Sequence, residues 1–94
     1  MSNDKNTKQS KYNYAYVATC ASWDKTINAL ITDVFGVYNS LESAQIEMYK
    51  KANRLYKYYG EGHNSNFDIW DTGADINIDN ENLYFSLRIH KKKK

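Results

Sequence analysis

The side chains with the clearest chemical potential are carboxylates concentrated in the C-terminal half of the chain. They are Glu61, Asp68, Asp71, Asp75, Asp79 and Glu81. Neighbouring carboxylates such as Asp68 and Asp71 are the residue types that acid–base hydrolysis uses. That chemistry also needs a carboxyl group whose pKa is shifted by its surroundings, and nothing in the adjacent sequence marks one. The pattern therefore favours a solvent-facing acidic surface over an active site.

Asp75, Asn77 and Asp79 also have the spacing of the first ligands of a calcium loop. The pattern fails at Asn80, where the loop needs glycine, and at Ser86, where it needs a bidentate glutamate. The Cys and His positions do not have the spacing of a zinc site. Because the acidic residues alternate with isoleucines, they indicate the exposed side of a strand. We therefore predict neither a metal nor a cofactor.

Nucleophilic catalysis would need Cys20, the one cysteine, beside a histidine. The candidates are His63 in a glycine-containing loop and His90 next to a lysine run, and both are distant from Cys20 in the chain. A catalytic pair must lie within hydrogen-bond reach, and no local signature of such a pair surrounds Cys20. We therefore predict a protein that is not an enzyme.

Composition excludes several classes of protein. The chain has 94 residues, 41% of them hydrophobic, which suits one small domain. Its apolar stretches are all shorter than the roughly 20 residues that span a membrane. Residues 1–10 lack the apolar core of a secretory signal, and a single cysteine suits a reducing compartment. We therefore expect a cytoplasmic protein without a membrane partner.

The N-terminal half contains strand signals and one ambiguous stretch. Residues 1–10 are polar and aperiodic, which predicts a disordered arm. Alternating aromatic and apolar residues predict a first strand over 12–20. Apolar residues at helical spacing within 22–35 are compatible with a helix. However, β-branched and aromatic residues around Gly36 favour a second strand over 29–38, antiparallel to the first.

The C-terminal half is more regular. Ser40 is a good N-cap, and an apolar stripe at three- and four-residue steps predicts a helix over 41–59. Alternation changes parity across Gly73, which predicts a bulge or tight turn between two strands, and a last strand covers 83–90. The fold class is therefore α+β, an antiparallel sheet of four to five strands with one main helix on one face (ββαββ-like). The domain spans 11–90, followed by a basic tail over 91–94.

Exposed aromatic residues indicate protein binding. Nine tyrosines and two tryptophans exceed what a core of this size holds, and exposed aromatic residues are enriched at binding hot spots. An acidic surface beside an exposed tryptophan can dock on a basic groove of a partner. The predicted partner-binding residues are Trp70, Asp68, Asp71, Asp75 and Asp79, with Tyr49 and Tyr56 as a second patch.

Nucleic-acid binding is the alternative, because the positive charges are also clustered. The formal net charge is +2, but Lys91–Lys94 carry four positive charges, which leaves the remainder at −2. The predicted helix interleaves basic residues with tyrosines, and a lysine run attracts phosphates in a salt-dependent way. The residues of this alternative are Lys50, Arg54, Lys57, Lys91 and Lys92.

Residues 34–44, Val-Phe-Gly-Val-Tyr-Asn-Ser-Leu-Glu-Ser-Ala, form a predicted strand-to-helix junction. This segment resembles junctions in small phage and prophage proteins of AT-rich bacteria, among which anti-defence inhibitors, anti-CRISPR proteins included, are prominent. The resemblance implies a phage or mobile-element inhibitor that occludes a site on a host defence protein, such as a nucleic-acid-handling complex, inside the bacterial cell. It assigns no functional residue, because a structural motif does not determine function.

Overall fold

A computed structural model describes residues 14–79 and 82–94. The predicted arm over 1–10 lies outside these residues. The elements in chain order are β1 (Tyr14–Asp24), β2 (Ala29–Tyr38), α1 (Leu41–Leu55), β3 (Ser65–Trp70), β4 (Gly73–Ile78) and β5 (Leu83–Lys93). The five strands form one antiparallel sheet in the order β2-β1-β5-β4-β3. The predicted α+β class, with one helix packed on a sheet, is confirmed.

Residues 29–38 form β2 along their whole length, so the helical alternative for 22–35 is wrong. A strand suits the β-branched and aromatic side chains of this segment, and its pairing with β1 gives it hydrogen-bond partners. The register of the pair shifts where Phe35 is inserted as a bulge. The β1–β2 turn is held by the Asp24 carboxylate, which accepts hydrogen bonds from the Thr26 amide (3.0 Å) and hydroxyl (2.6 Å).

Helix α1 begins where the sequence predicts. The hydroxyl oxygen of Ser40 accepts a hydrogen bond from the Ser43 amide at 3.1 Å, as an N-cap does. Ala44, Met48 and Ala52 are fully buried against the sheet, and their spacing of four residues places them on one side of the helix. The predicted helix over 41–59 ends earlier as an α-helix, because a π-helical turn follows over Tyr56–Gly60.

The core lies between α1 and one face of the sheet. Besides the helix residues it includes buried side chains from β1, β4 and β5, namely Cys20, Ala74, Ile76, Ile78, Phe85, Leu87 and Ile89. Trp70 and Gly73 pair at the base of a two-residue connection, which confirms the predicted tight turn at this point. Among the described helices, none is long and apolar enough to cross a membrane.

Strand β5 continues beyond the predicted end at residue 90. Lys91, Lys92 and Lys93 pair with the first residues of β1, so the first three lysines of the predicted basic tail belong to the sheet. The longer strand has a physical reason, because β1 extends far enough to give each of these lysines a backbone partner. The Lys91 ammonium group also lies 4.2 Å from the centre of the Tyr14 ring.

Candidate functional site

Helix α1 covers one face of the sheet, and none of the described residues packs over the other. Cross-strand partners point to the same face, so the register identifies the side chains on this uncovered face. At its β2 edge, Leu30, Val34 and Val37 are exposed by 65, 60 and 62%. Val34 and Val37 occupy successive positions of this face, Leu30 is separated from them by Thr32, and all three belong to β2, the edge strand of the described sheet. The uncovered face is therefore a candidate binding surface.

The register places one residue from each strand in a row across the middle of the uncovered face. The row consists of Thr32, Ala21, Ser86, Asp75 and Asp68. The neighbouring row on one side consists of Leu30, Trp23, Tyr84, Asn77 and Asn66. On the other side lie Val34, Thr19, Arg88, Gly73 and Trp70. The two carboxylates of the middle row are therefore next to the rows that contain the aromatic residues Trp23, Tyr84 and Trp70.

The polar part of the uncovered face contains a cavity of about 520 Å³, which we call the acidic trough. Its walls include the aromatic side chains of Trp23 and Tyr84 and the carboxylates of Asp68 and Asp75. Asn66 and Asn77 add amide groups. The trough thus combines aromatic walls, two negative charges and amides, and its lining, as far as the described residues go, contains neither lysine nor arginine.

Asp75 is neutralised by Arg88 at the boundary of the trough. Nη1 of Arg88 lies 2.9 Å from Oδ1 of Asp75 and also donates to the carbonyl oxygens of Leu87 (2.8 Å) and Ala74 (3.3 Å). The guanidinium group lies 4.8 Å from the centre of the Trp70 ring. Because several partners hold Arg88, its guanidinium group is fixed in place, and its positive charge is balanced by the Asp75 carboxylate.

Asp68 is the carboxylate of the trough whose negative charge is not balanced by a described basic side chain. It stands directly opposite Asp75 in the β3–β4 register, so the two carboxylates share one face. Like charges at directly opposite positions destabilise a sheet. Within residues 14–79 and 82–94, Asp68 has no hydrogen bond or ion pair to a basic side chain. The trough therefore keeps a net negative charge after the Asp75–Arg88 pair is counted.

Two further polar groups in the trough have unusual surroundings. Burial, and then the hydrogen bond and negative charge of Asp75, raise the pKa of the Tyr84 phenol. Tyr84 therefore stays protonated well above neutral pH. Oδ1 of Asn77 is buried and has no hydrogen-bond partner in the described part of the chain. A buried acceptor without a partner costs free energy, and a donor that reached it would recover part of that cost.

The structure brings together three of the predicted partner-binding residues. Asp68, Trp70 and Asp75 lie on neighbouring positions of the uncovered face. Asp71 lies in the β3–β4 turn, where its backbone carbonyl accepts a hydrogen bond from Gln45 (2.9 Å). Asp79 lies beyond the opposite end of β4 and pairs with the Nδ1 of His63 (2.9 Å). The predicted acidic surface is therefore divided, because the β4 strand separates its two outer members.

Tyr49 and Tyr56 are on the helix side of the sheet, away from the trough. They line a groove of about 620 Å³ between α1 and β3 with Asn53, Phe67 and Ile69. The Tyr56 ring packs 5.1 Å from that of Phe67 and is half-buried at the margin of the core. Tyr56 is therefore packed against the core as well as lining the groove, because the Phe67 side chain of β3 covers one side of its ring.

The two basic segments of the nucleic-acid alternative are at different ends of the molecule. The lysine run lies near the start of α1, where Nζ of Lys94 is 3.3 Å from Oδ1 of Asn39. Arg54 and Lys57 lie at the other end of the helix, about 20 Å away at 1.5 Å per residue. They surround the exposed Tyr58 together with Lys51, a residue that the sequence prediction did not include. Lys50 instead pairs with Glu47 at 3.5 Å.

Cys20 and the two histidines are apart. Cys20 is buried in the core on the helix side, and burial raises the pKa of its thiol. His90 points to the uncovered face and contacts the Thr19 hydroxyl at 3.1 Å. His63 is paired with Asp79. A protonated, buried thiol with no adjacent imidazole is a poor nucleophile. Over the described residues, no three His, Cys, Asp or Glu side chains are grouped as a metal site.

The sequence prediction missed Trp23, Asn66, Asn77, Tyr84 and Arg88 as members of the site. Alternation in β5 does place Tyr84, Ser86 and Arg88 on one face. Trp23 belongs to residues 22–35, whose sequence is compatible with either a helix or a strand. Its position opposite Tyr84 depends on the β1–β5 register. That register joins strands about 60 residues apart in the chain, so no local pattern encodes it.

No protein-family model, curated protein or solved structure matches this chain.

Proposed function

We propose that this protein is a small non-catalytic protein-binding module that docks on a larger partner through the uncovered face of its sheet. The observation that carries the proposal is the exposure of Leu30, Val34 and Val37, each by 60% or more, on the face that also holds the acidic trough. Apolar anchors beside a charged region are the usual composition of a protein interface.

Charge defines the partner surface that fits this face. The β3–β4 side presents Asp68 and the Asp75–Arg88 pair, whereas the β2 side presents aliphatic residues. A complementary partner has an apolar patch next to a basic one, and opposite potentials speed association and select against acidic partners. Docking there would occlude the basic patch of the partner.

The proposed partner is a host protein of a bacterial defence system, including CRISPR–Cas machinery, as the resemblance of residues 34–44 to phage proteins implies. Proteins that handle nucleic acid carry basic surfaces for phosphate groups. An acidic and aromatic face that covers such a surface inhibits without any chemistry. The proposal therefore places this protein among binders that act by blocking a site.

Nucleic-acid binding remains a second candidate, because one structural observation favours it. Lys51, Arg54 and Lys57 line a concavity of about 590 Å³ around Tyr58, whose side chain is 80% exposed. Basic residues around a free aromatic ring suit a single strand of nucleic acid. Binding of DNA or RNA oligonucleotides that falls steeply with salt and is lost in Arg54→Ala would support this candidate.

Affinity capture from a bacterial host lysate tests the leading proposal when matched variants are compared. Leu30→Asp places a charge in the apolar part of the uncovered face. Ile46→Asp makes the same change on α1, where Ile46 is 49% exposed. We expect Leu30→Asp to lose a captured protein that the wild type and Ile46→Asp both retain. Equal capture by all three proteins would contradict the use of this face.

A further inference from the structure

We propose that the acidic trough is a binding site for one arginine side chain of the partner protein. This inference rests on the proposed function, and it assigns to the trough a ligand of defined chemistry, a guanidinium group. Asp68 supplies the free negative charge, and Trp23 and Tyr84 supply the faces against which a planar cation stacks.

Asp68 and Asp75 stand directly opposite each other in the β3–β4 register. Arg88 balances Asp75 at 2.9 Å, and Asp68 has no basic partner in the described ranges. A cation between the strands would balance Asp68 and relieve the part of the repulsion that Arg88 leaves. An anion such as a phosphate would add to it, so the trough discriminates against nucleic acid.

The shape and composition of the trough select guanidinium over other cations. An arginine head group is flat, stacks on aromatic rings and directs five N–H donors outward in its plane. Trp23 and Tyr84 are direct cross-strand partners and form adjoining aromatic walls. The same face already shows this type of contact, since Arg88 lies 4.8 Å from the centre of the Trp70 ring.

Hydrogen-bond acceptors in the trough match the donors of the proposed ligand. The Asp68 carboxylate accepts two N–H groups in the bidentate geometry that arginine favours. Asn66 and Asn77 add neutral amide groups to the lining beside this carboxylate. A lysine ammonium group offers neither the planar stacking nor the paired donors.

A peptide titration followed by NMR tests the inference without knowledge of the partner. The probe is the capped peptide Gly-Gly-Arg-Gly-Gly, added to uniformly ¹⁵N-labelled protein. The matched control peptide contains citrulline, which keeps the shape of arginine but is neutral. We expect saturable shifts of the Trp23 indole and Asn77 side-chain resonances with the arginine peptide only. Absence of saturable shifts, or equal shifts with citrulline, would overturn the inference.

Protein variants locate the site. Asp68→Asn removes the free charge at an exposed position, and we expect it to weaken binding of the arginine peptide at least tenfold. Glu42→Gln removes one negative charge from the first turn of α1 and should leave binding unchanged. The resonances of core residues report that each variant is folded. Undiminished binding by Asp68→Asn would show that the arginine binds elsewhere.

The two proposals fail in different ways. If Leu30→Asp loses the captured partner but the arginine peptide does not bind, the arginine site is wrong and the docking face stands. If the peptide binds and Leu30→Asp still captures every protein that the wild type captures, the trough stands and the docking proposal is wrong.

Discussion

The indole of Trp70 lies directly over Gly73, its cross-strand partner at the end of the β3–β4 hairpin. A Cβ atom at position 73 would come within 2.7 Å of Cζ2 of the indole and 3.0 Å of the Leu87 carbonyl oxygen. The absence of a side chain at position 73 lets the ring approach the strand, and Arg88 packs on the same ring at 4.8 Å. Arg88 then reaches Asp75. Gly73 thus supports the arrangement in which Arg88 neutralises Asp75, one of the two carboxylates of the trough.

We expect Gly73→Ala to lower the free energy of unfolding by about 1–3 kcal/mol, because the added methyl group must displace the indole. In a Trp70→Ala background the same substitution should cost less, since only the contact with the Leu87 carbonyl oxygen remains. Urea unfolding of the four proteins in this cycle measures the coupling. Additive effects, within about 0.5 kcal/mol, would contradict the packing of Trp70 on Gly73.

Substitution of Met48 tests how α1 packs on the sheet. Its side chain is fully buried between α1 and the sheet. We expect Met48→Ala to lower the free energy of unfolding by about 2–5 kcal/mol through lost burial and an unfilled cavity. Ile46→Ala on the exposed side of the same helix should cost less than about 1 kcal/mol. Thermal unfolding by circular dichroism compares them, and similar losses for both would show that α1 does not pack as described.

We expect the Asp68 carboxylate to lower the stability of the fold while it contributes to binding. We expect Asp68→Asn to raise the free energy of unfolding by at most about 0.5 kcal/mol, because it removes a repulsion with Asp75 that Arg88 already offsets in part. The gain should shrink as salt increases, since screening weakens repulsion between exposed groups. Urea unfolding at low and at high salt measures both effects. A loss of stability at low salt would mean that Asp68 has a stabilising partner.

Burial of Cys20 should control its reactivity. Because burial raises its pKa and excludes reagents, we expect native protein to react with a thiol reagent at pH 8 at least 100-fold more slowly than urea-unfolded protein. Alkylation followed by mass spectrometry gives the two rates. Comparable rates in the native and unfolded states would contradict the position of Cys20 in the core.

The same raised pKa has a consequence for stability. The folded state holds the thiol proton more tightly than the unfolded state, so its contribution is complete below the unfolded pKa. That contribution is lost as pH rises toward the folded value. We expect wild type to lose stability relative to Cys20→Ala as pH rises above about 8.5, the ordinary pKa of a cysteine thiol. A difference that is independent of pH would contradict the raised pKa.

Local patterns were sufficient to predict most of the fold. The N-cap at Ser40, the stripe through Met48 and the parity change at Gly73 each depend on residues within a few positions of one another. The segment before Gly36 was ambiguous because its apolar spacing suits a helix while its residue types suit a strand. Pairing with β1 stabilises the strand rather than the helix, and this pairing is not visible in the sequence of the segment alone.

The site was less predictable than the fold. Alternation indicated correctly that Asp68 and Asp75 share a face, since both belong to one hairpin. The aromatic walls come from β1 and β5, and Trp23 meets Tyr84 only through a pairing between distant strands. The partial burial of Tyr56 also depends on a contact between separate elements, because Phe67 of β3 packs against one side of its ring.

The position of β5 also has a consequence for how the chain folds. β1 with β2 and β3 with β4 are hairpins that can close locally, whereas β5 comes last among the described elements and lies between them. Neither hairpin touches the other within the sheet until β5 pairs with both. Pairings over such long sequence separations are slow to form. We therefore expect the two hairpins to form first and the insertion of β5 to limit the rate of folding.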